Sequence, residues 1–451
     1  MTNNTSAYRR LGLILDAGSF MELGESITAR STDFSCGAKA PSDGVVTGFG
    51  TINGRPVYVY SQDAAVMGGS IGEMHAKKIL RAYKMAMKTS TPILALIDCS
   101  GLRLEEGADA LHAYGKIYRA QSDARGVVPQ IAAVFGNCGG GMAVAAGMAD
   151  FVLTEEGKAR IFVNAPAARQ YDGARNVIDK FLKEDPAGEV ADENASEESL
   201  CAYIRELYGY LPLSCDDYAP EEDCGDDLNR LVSCTDASDP EDILMQIADE
   251  GTYLEVGAAK KAAALTGFMR LDGKVVGFAA NKDEKLDTAA CEKMADFVDF
   301  CTAFDIPLLT LTNASGFSQA KGEEETLPKA AAYLAGAFAY AEMPKVNLIT
   351  GKAMGAAFSV MNNKALGTEF VFAWNTAQVQ VMPEDQAVKI LYEADLEKAE
   401  DTMALMEEKK ADYLSKAGLP GFLARGYVDK AIDPAESRKT VLAAFEMLLA
   451  E

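Results

Sequence analysis

Four short segments rich in glycine and other small residues follow apolar runs in this sequence, and they are the residues best placed to do chemistry. They are Gly101-Leu102 and Gly139-Gly140-Gly141 in the first half, and Gly316-Phe317 and Gly355-Ala356 in the second half. Glycine lets a backbone approach a ligand closely, and a helix that starts at such a loop offers unpaired N–H donors. Two N–H groups directed at one oxygen stabilise negative charge on it, each contributing about 3 kcal/mol at a transition state. The pattern predicts the stabilisation of a negatively charged oxygen, and enolate formation next to a thioester carbonyl is one reaction that needs such support. A lone glycine run would favour tight turns alone, but its repetition in both halves favours the oxyanion interpretation.

Side chains that could act as nucleophiles or metal ligands are few. The sequence has two histidines, His75 and His112, and its nine cysteines include no Cys-x-x-Cys pair. A zinc site and a mechanism with several imidazoles are therefore not expected. His75 either contacts a phosphate or is a structural residue at a helix start, and the structural interpretation is favoured. Cys99 and Cys138 border the first-half loops and are interpreted as small loop residues, because no base lies near them in sequence.

An internal duplication supplies the elements that position these loops. The stretch TPILALIDCSG resembles IPLLTLTNASG, and Pro92 and Pro307 lie 215 positions apart (307 minus 92). The same offset relates Pro129 to Pro344 farther along. Upstream, TGFGTINGRPV resembles TGFMRLDGKVV, and each predicts a strand, a tight turn and a second strand. Apolar runs alternate with helical stretches, so the pattern predicts βαβ units on a mostly parallel sheet, with ligands at the carboxyl ends of its strands. We therefore predict two homologous domains, residues 1–235 and 236–451, joined by an acidic surface stretch around 184–240.

Charge and hydropathy exclude several classes of function. The net charge of −24 argues against nucleic acid as a partner, because binding phosphate backbones requires a basic face. No apolar run is long enough to span a bilayer and the N-terminus has no signal-peptide pattern, so a cytoplasmic location is predicted. A predicted helix carries several basic residues that could bind a polyanion, although a solvated face is the favoured interpretation. They are Lys77, Lys78, Arg81 and Lys84.

Several longer stretches resemble the biotin-dependent acyl-CoA carboxyltransferase family. That family includes β subunits of propionyl-CoA carboxylase, methylmalonyl-CoA carboxyltransferase and α subunits of decarboxylases. The matching stretches include GGSIGEMHAKKI (68–79), SGLRLEEG (100–107), GVVPQIAAVFGNCGGG (126–141) and RGYVDKAIDPAESR (425–438). The resemblance implies an α/β fold of tandem duplicated crotonase-like domains, each a ββα spiral.

The resemblance also implies the roles of the loops. An acyl-CoA would bind the N-terminal domain, with Gly140 and Gly141 holding its carbonyl as it becomes an enolate, and with Gly101, Leu102 and Gly139 lining the pocket. Biotin would enter against the C-terminal domain of a partner chain, where Gly355 and Ala356 would hold its ureido oxygen, with Gly316 and Phe317 alongside. Lys352 could attract the carboxylate of carboxybiotin. The chain lacks a Met-Lys-Met biotinylation motif, so the resemblance implies a separate biotin carrier protein, other carboxylase or decarboxylase subunits, and a homo-oligomer between dimer and hexamer.

Two alternatives remain open from the residues. A biotin-independent hydratase or hydrolase of the crotonase type would need a working carboxylate, for which Glu105 and Glu106 are the candidates. A non-catalytic assembly subunit is the other alternative. It is motivated by the segment after Ala165, which contains no histidine.

Overall fold

Alternating apolar strands and amphipathic helices form two units, described in this computed structural model for residues 5–30, 32, 34, 40–164 and 191–450. The first unit comprises Met1–Pro220 with Gly257–Lys261, and the second comprises Glu221–Val256 with Ala262–Glu451. The division of function between residues 1–235, which are expected to bind acyl-CoA, and residues 236–451, which are expected to face biotin, stays a prediction. The segment from Ala165 to residue 190, which motivated the assembly-subunit alternative, lies outside the described residues.

The first unit is built on one mixed sheet. Its strands are β1 (Met21–Glu22), β2 (Val45–Ile52), β3 (Arg55–Gln62), β4 (Ile93–Cys99), β5 (Gln130–Gly139), β6 (Phe151–Glu155), β7 (Arg160–Phe162) and β8 (Glu193–Ala195). They pair in the order β1-β2-β3-β4-β5-β6-β8, with β7 paired to β5. The pairs among β1, β2 and β3 are antiparallel, and the remaining pairs are parallel. The carboxyl ends of β4 and β5 therefore lie side by side.

Five helices accompany this sheet. They are α1 (Ser6–Ile14), α2 (Glu73–Thr89), α3 (Gly107–Ala124), α4 (Gly141–Ala146) and α5 (Glu197–Tyr208). Of these, α2, α3 and α4 connect its parallel strands. The apolar faces of α2 and α3 and the strands β4 and β5 contribute to one buried cluster, which includes Ile79, Ile117, Ile97 and Val134. This packing fixes the ends of β4 and β5, where the predicted loops begin.

The second unit repeats the plan. Its strands are β9 (Leu254–Val256), β10 (Ala264–Leu271), β11 (Lys274–Asn281), β12 (Lys285–Leu286), β13 (Leu308–Ala314), β14 (Gly316–Phe317), β15 (Lys345–Met354), β16 (Phe370–Trp374), β17 (Gln378–Gln380) and β18 (Lys430–Ile432). Its helices are α6 (Pro240–Ile247), α7 (Thr288–Ala303), α8 (Glu323–Tyr340), α9 (Gly355–Val360), α10 (Glu384–Leu391), α11 (Glu393–Leu396), α12 (Thr402–Ala417), α13 (Leu419–Ala424) and α14 (Ser437–Leu448). The main sheet runs β18-β16-β15-β13-β11-β10-β9, with β17 paired to β15.

The predicted duplication is visible strand by strand. β13 begins 215 residues after β4 (308 minus 93), and β15 begins 215 residues after β5 (345 minus 130). The two predicted hairpins are present, and their turns place Asn53 and Asp272 at φ of 52° and 51°, each followed by a glycine with positive φ. Paired positive φ angles are typical of the two-residue hairpin turn, and Asn-Gly and Asp-Gly adopt it most readily.

The acidic stretch around 184–240 is more structured than the sequence predicted. Its helix α5 buries Leu200, Ile204 and Leu207, because these residues recur with helical spacing on one face. The interpretation of this part as a surface excursion is therefore wrong for residues 197–208. Among the described residues, no helix combines the length and the apolar character needed to cross a membrane.

Candidate active site

The loop after β3 supports the end of β4. Gly69 has a φ of 64°, and a Cβ at this position would lie only 2.1 Å from the carbonyl oxygen of Asp98. Only glycine allows this close approach of two backbones. The amide of Ser100 donates to the carbonyl of Gly68 at 2.9 Å. The conspicuous GGSIGE motif thus has a direct structural purpose, which is to hold the segment that follows β4.

Leu102 presents its N–H on the side away from this supporting loop. The amide of Ile71 donates to the carbonyl of Gly101 at 2.8 Å, and the amide of Arg103 donates to the carbonyl of Ile71 at 2.9 Å. In such a parallel bridge, the groups of the intervening residue point in the opposite direction. No hydrogen-bond acceptor for the Leu102 amide occurs within the described ranges of the chain.

The second loop of this unit joins β5 to α4 through a conformation that requires glycine. Gly140 has φ 59° and ψ −124°, which side-chain-bearing residues rarely adopt. Its N–H donates to the carbonyl of Phe162 in β7 at 2.8 Å, so this donor is already used. The amide of Gly141, the first residue of α4, has no acceptor in the part of the chain that the structure describes. Two unused amides, those of Leu102 and Gly141, therefore follow adjacent strands.

Neighbouring side chains fix the position of Gly141. The phenolic oxygen of Tyr118 donates to the Gly141 carbonyl at 2.8 Å. A Cβ at Gly141 would lie 2.7 Å from that phenolic oxygen and 2.8 Å from the ring of Tyr114. Gly101 and Gly139 also lie close together, since a Cβ at Gly101 would be 3.4 Å from the Gly139 carbonyl oxygen. The predicted loop residues of the first unit are thus brought together.

The two cysteines at these strand ends are buried register partners. Cys99 in β4 pairs with Cys138 in β5, and both are fully buried. Burial raises the pKa of Cys99 to about 11 and the pKa of Cys138 well above its usual value. Both remain thiols near neutral pH, and thiols are poor nucleophiles. Their interpretation as small packing residues agrees with these surroundings.

His75 lies in the first turn of α2 as a buried, neutral residue. Its Nδ1–H donates to the carbonyl of Asp43 at 3.0 Å, and its Nε2 accepts from the Gln62 carboxamide at 3.2 Å. Burial, followed by the nearby Arg103 cation, lowers the pKa of His75 to about 3. Both ring nitrogens are used within the fold, which agrees with the structural interpretation of this residue.

The buried imidazole makes stability depend on pH. Because the unfolded residue takes up a proton near pH 6.5 and the folded one does not, His75 stabilises the protein above pH 6.5, and this contribution falls as the pH drops toward 3. We expect the free energy of unfolding to fall by about 2 kcal/mol from pH 7 to pH 5 through this residue. Urea denaturation at both pH values, compared between wild type and His75→Gln, measures the difference. His112→Gln, which alters an exposed histidine, is the control. Equal pH dependence in wild type and His75→Gln would contradict the assignment.

Glu105 and Glu106, the carboxylates considered for hydratase chemistry, are not positioned as a general acid or a general base. Glu106 is buried, accepts from Arg103 at 3.0 Å through Oε1, and accepts from the amide of Glu73 at 2.5 Å through Oε2. It therefore joins the start of α2 to the buried guanidinium. Glu105 is exposed, and its backbone carbonyl accepts from the Thr32 hydroxyl, whereas its carboxylate has no hydrogen bond to the residues that the structure describes.

The four basic residues of α2 do not form one exposed group. Lys78 is buried, and its ammonium donates to the Val45 carbonyl at 2.5 Å and to Asp43 at 3.3 Å. A lysine held in this way is not available to a phosphate group, and neither is it part of a solvated face, which was the favoured interpretation. Lys77, Arg81 and Lys84 are exposed on the helix.

A hydrogen bond from a backbone amide to a side-chain oxygen of the adjacent strand, called the clip below, recurs in both units just before the glycine loops. In the first unit, the Asp98 carboxylate accepts from the amide of Asn137 at 3.3 Å. In the second, the Asn313 carboxamide accepts from the amide of Lys352 at 2.8 Å. Asn137 and Lys352 are again 215 positions apart, so the same geometry orients both loops. The clip keeps the ends of the two central parallel strands in register as the strand pairing shifts there.

The second-unit loops form the wall of a cavity of about 500 Å³. Gly355 has a φ of 56°, like its counterpart Gly140, and both Gly355 and Ala356 line the cavity. No acceptor for the Ala356 amide is found among the residues described. Gly316 and Phe317 form β14, which pairs with β12 beside the end of β13 and contacts α9. The predicted loops of the second unit are thus also brought together.

Lys352 lies on β15 three residues before Gly355 and is partly exposed. Its ammonium contacts both carboxylate oxygens of Glu284, at 2.9 and 2.8 Å. The side chains are 37% and 44% exposed, so the pair is solvated and weak, and a bound anion can compete for the cation. Lys352 is not among the residues that line the 500 Å³ cavity.

Comparison with known proteins gives consistent relatives over the whole chain. The family described as carboxyl transferase domain matches residues 2–451. The propionyl-CoA carboxylase beta chain of Roseobacter denitrificans is 37% identical and covers 98% of this chain and 90% of the relative. The methylmalonyl-CoA decarboxylase subunit alpha of Propionigenium modestum is 36% identical, with the same coverage. The transcarboxylase 12S crystal structure, a hexamer with methylmalonyl-coenzyme A and methylmalonic acid bound, superposes with a TM-score of 0.92 at 33% identity, covering 98% of this chain and 88% of that one.

Sequence reasoning missed the residues that complete these loops from a distance. Phe162, whose carbonyl uses the Gly140 amide, lies on a three-residue strand with no distinctive pattern. Tyr118, which bonds the Gly141 carbonyl, looks like any aromatic residue on an amphipathic helix. Gln380 in the cavity wall follows the apolar run around Trp374 with no local signal of a binding role. Helical spacing could have placed Tyr114 and Tyr118 on one face, but not against Gly141.

Proposed function

Because the chain belongs to the carboxyl transferase domain family, we propose that it is the subunit that moves a carboxyl group between an acyl-CoA and carrier-bound biotin. The predicted resemblance is confirmed, and so is the predicted fold class of α/β, tandem crotonase-like domains. The whole-chain match to enzymes named for propionyl-CoA and methylmalonyl-CoA is the observation that carries the proposal. An acyl-CoA is accordingly the substrate class we assign.

The first-unit loops supply the charge stabilisation. In these first-unit loops, the amides of Leu102 and Gly141 have no acceptor among the described residues, and they follow the neighbouring strands β4 and β5. Both N–H groups would bind the thioester oxygen as the α carbon loses its proton or its carboxyl group and the enolate forms. Two such donors contribute roughly 3 kcal/mol each at the transition state. Gly140 contributes its unusual backbone conformation, since its own N–H is bonded to Phe162.

The second-unit cavity fits the bicyclic ring of biotin. A volume of about 500 Å³ with Gly355 and Ala356 in its wall accommodates a small ring, and the Ala356 amide is available to a ureido oxygen. When bound, biotin supplies the carboxyl group and the nitrogen that takes up the substrate proton. The chain then has to orient, exclude water and stabilise charge, and it needs no side-chain base. The surroundings of Glu106 weigh against the hydratase alternative, because its carboxylate is bonded to Arg103 and to the Glu73 amide.

Assembly follows from the same proposal. Transcarboxylase 12S is described as a hexamer, and we propose that this chain also forms a homo-oligomer that receives a separate biotin carrier protein. A C-terminal loop of one subunit would then complete the site of another. Sedimentation of the purified chain should show an assembly no smaller than a dimer.

The proposal is tested by following CO₂ release from a panel of α-carboxyacyl-CoA thioesters, including malonyl-CoA and methylmalonyl-CoA, with and without free biotin. We expect release that depends on biotin. Release of free CoA thiol without biotin would favour the hydrolase alternative, because hydrolysis yields a thiol and no CO₂, and failure to bind any CoA thioester would favour the assembly subunit. Either result would remove the proposed function.

Lys352 provides a more local prediction. If its ammonium attracts the carboxylate carried by biotin, Lys352→Ala should lower kcat/KM for biotin by about 5-fold while the Kd for acyl-CoA stays unchanged, since one exposed charge contact is worth about 1 kcal/mol. Steady-state kinetics at varied biotin concentration measures kcat/KM for biotin, and a separate titration measures the Kd for acyl-CoA. Lys430→Ala, at an exposed lysine of β18, is the control. If Lys352→Ala weakened acyl-CoA binding as much as it lowered kcat/KM for biotin, the proposed role of Lys352 would be rejected.

A further inference from the structure

The cavity beside Gly355 contains a buried polar side chain with an unmet hydrogen bond. Gln380, the last residue of β17, is only 3% exposed and lines the cavity. Its register partner is Met354, so it lies next to the loop that begins at Gly355. Its Nε2 donates to Glu384 at 3.2 Å, whereas its Oε1 has no partner among the described residues. An unpaired buried acceptor is unfavourable, so a ligand that brings an N–H to this oxygen gains binding energy. Because the oxygen is itself buried, the Gln380 side chain has to turn toward the cavity to accept that bond.

Two other polar residues of the cavity wall, Lys364 and Asn363, already have partners. The Lys364 ammonium lies 2.6 Å from the Asp429 carboxylate. The Asn363 carboxamide donates to the carbonyls of Phe358 and Ser359 and accepts from the amide of Ala365. The lining therefore offers no unpaired cation for a carboxylate, and the unmet acceptor of Gln380 calls for a neutral donor.

Aromatic rings form the apolar part of the same wall. The ring centroids of Phe358 and Phe422 are 6.0 Å apart, and those of Phe422 and Tyr427 are also 6.0 Å apart, both in edge contacts. Val381 adds an aliphatic surface. Such a wall suits a compact, largely apolar ligand whose few polar atoms meet defined partners.

We propose that Gln380 is a specificity-determining residue whose carboxamide oxygen accepts an N–H from the ureido ring of biotin. The identity of the ring rests on the proposed function, whereas the requirement for a neutral N–H donor comes from the cavity itself. The ring oxygen faces the Gly355–Ala356 loop and the ring N–H faces Gln380, so the cavity recognises a carbonyl and an adjacent N–H together. Urea rings satisfy this pairing, and carboxylates and esters do not.

Binding measurements on the full chain test the assignment independently of turnover. The probes are free biotin and the biotin analogue in which the ureido nitrogen that does not carry CO₂ is methylated. We expect wild type to bind biotin at least 10-fold more tightly than the methylated analogue in ligand-observed NMR titrations. Gln380→Met keeps the side-chain length but removes the acceptor, so the two ligands should bind this variant within about 2-fold of each other. Gln378→Met changes the same residue type at an exposed position of the same strand and should keep the wild-type preference.

The outcomes separate this inference from the proposed function. A preference for biotin that survives in Gln380→Met overturns the role of Gln380 even if biotin-dependent CO₂ release occurs. Loss of the preference in a variant with unchanged acyl-CoA affinity and an unchanged melting temperature supports it, even if no acyl-CoA is turned over. Gln380-dependent binding of pantetheine, with no binding of biotin, also overturns it, because pantetheine presents amide N–H groups of its own.

Discussion

Gly140→Ala should lower kcat for biotin-dependent carboxyl transfer by about 100-fold or more. Alanine at φ 59° and ψ −124° is strained by about 1–3 kcal/mol, so the loop relaxes away from this conformation. The Gly141 amide moves with it, and loss of one oxyanion donor alone costs about 100-fold to 1,000-fold in rate. Because nothing lies within 4 Å of a Cβ at Gly140, the effect is conformational and not a steric clash.

The comparison that checks this prediction uses three proteins. Gly115→Ala, in the middle of α3 with open space around it, is the control for adding a methyl group to a helix-rich region. Steady-state kinetics should show wild-type kcat for Gly115→Ala and a large fall for Gly140→Ala. A nitronate analogue of the enolate thioester should bind Gly140→Ala much more weakly than wild type, whereas the ground-state acyl-CoA should bind both alike. Unchanged kcat in a folded Gly140→Ala protein would refute the oxyanion assignment.

The largest expected effect on stability is at Arg438. This side chain of α14 is fully buried; its guanidinium donates to the Ile247 carbonyl at 2.5 Å and to the Asp249 carboxylate at 2.8 Å, and it lies 3.3 Å from Asp226. Asp249 in turn accepts from the Gly273 amide at the turn between β10 and β11. Arg438→Met leaves the buried Asp249 carboxylate without this cation, which costs about 3–5 kcal/mol, whereas Asp226 keeps its contact with Arg230 at 2.8 Å.

Calorimetry provides the measurement. A loss of this size should lower the melting temperature of the affected transition by about 10 °C, given roughly 2–4 °C per kcal/mol for a unit of this size. Lys439→Met, which changes the exposed neighbour on the same helix, should shift it by no more than about 1–2 °C. Similar shifts in both variants would contradict the importance of the buried network.

The sequence predicted the features that depend on local pattern. Asn53 and Asp272 identified the hairpin turns because a following glycine favours positive φ at both positions. The apolar runs of β4 and β13 identified the central parallel strands because strands buried on both faces lack polar alternation. Repetition at a constant offset then placed the four loops at strand ends, where the structure has them.

Features that depend on contacts between distant residues could not be predicted in this way. The burial of Lys78 depends on Asp43 and Val45, some 30 residues away, and a lysine on a helix carries no sign of it. The occupied amide of Gly140 depends on the pairing of β7 with β5. The neighbouring strand, here β7, therefore determines which amide of the glycine loop remains available to a ligand. The loop sequence alone does not determine it.

The short segment Gly257–Lys261 has a practical consequence for dissecting the molecule. Although it follows β9 of the second unit, it belongs to the first, where the Ala259 amide donates to the Asp192 carbonyl and the Lys260 ammonium contacts the Asp192 carboxylate at 3.0 Å. Asp192 itself accepts from the Val152 amide at the start of β6. A gene fragment that stops at residue 220 would thus lack the Lys260 ammonium that contacts this buried carboxylate at the sheet. Separate expression of the halves would succeed only if this five-residue piece were supplied with the first.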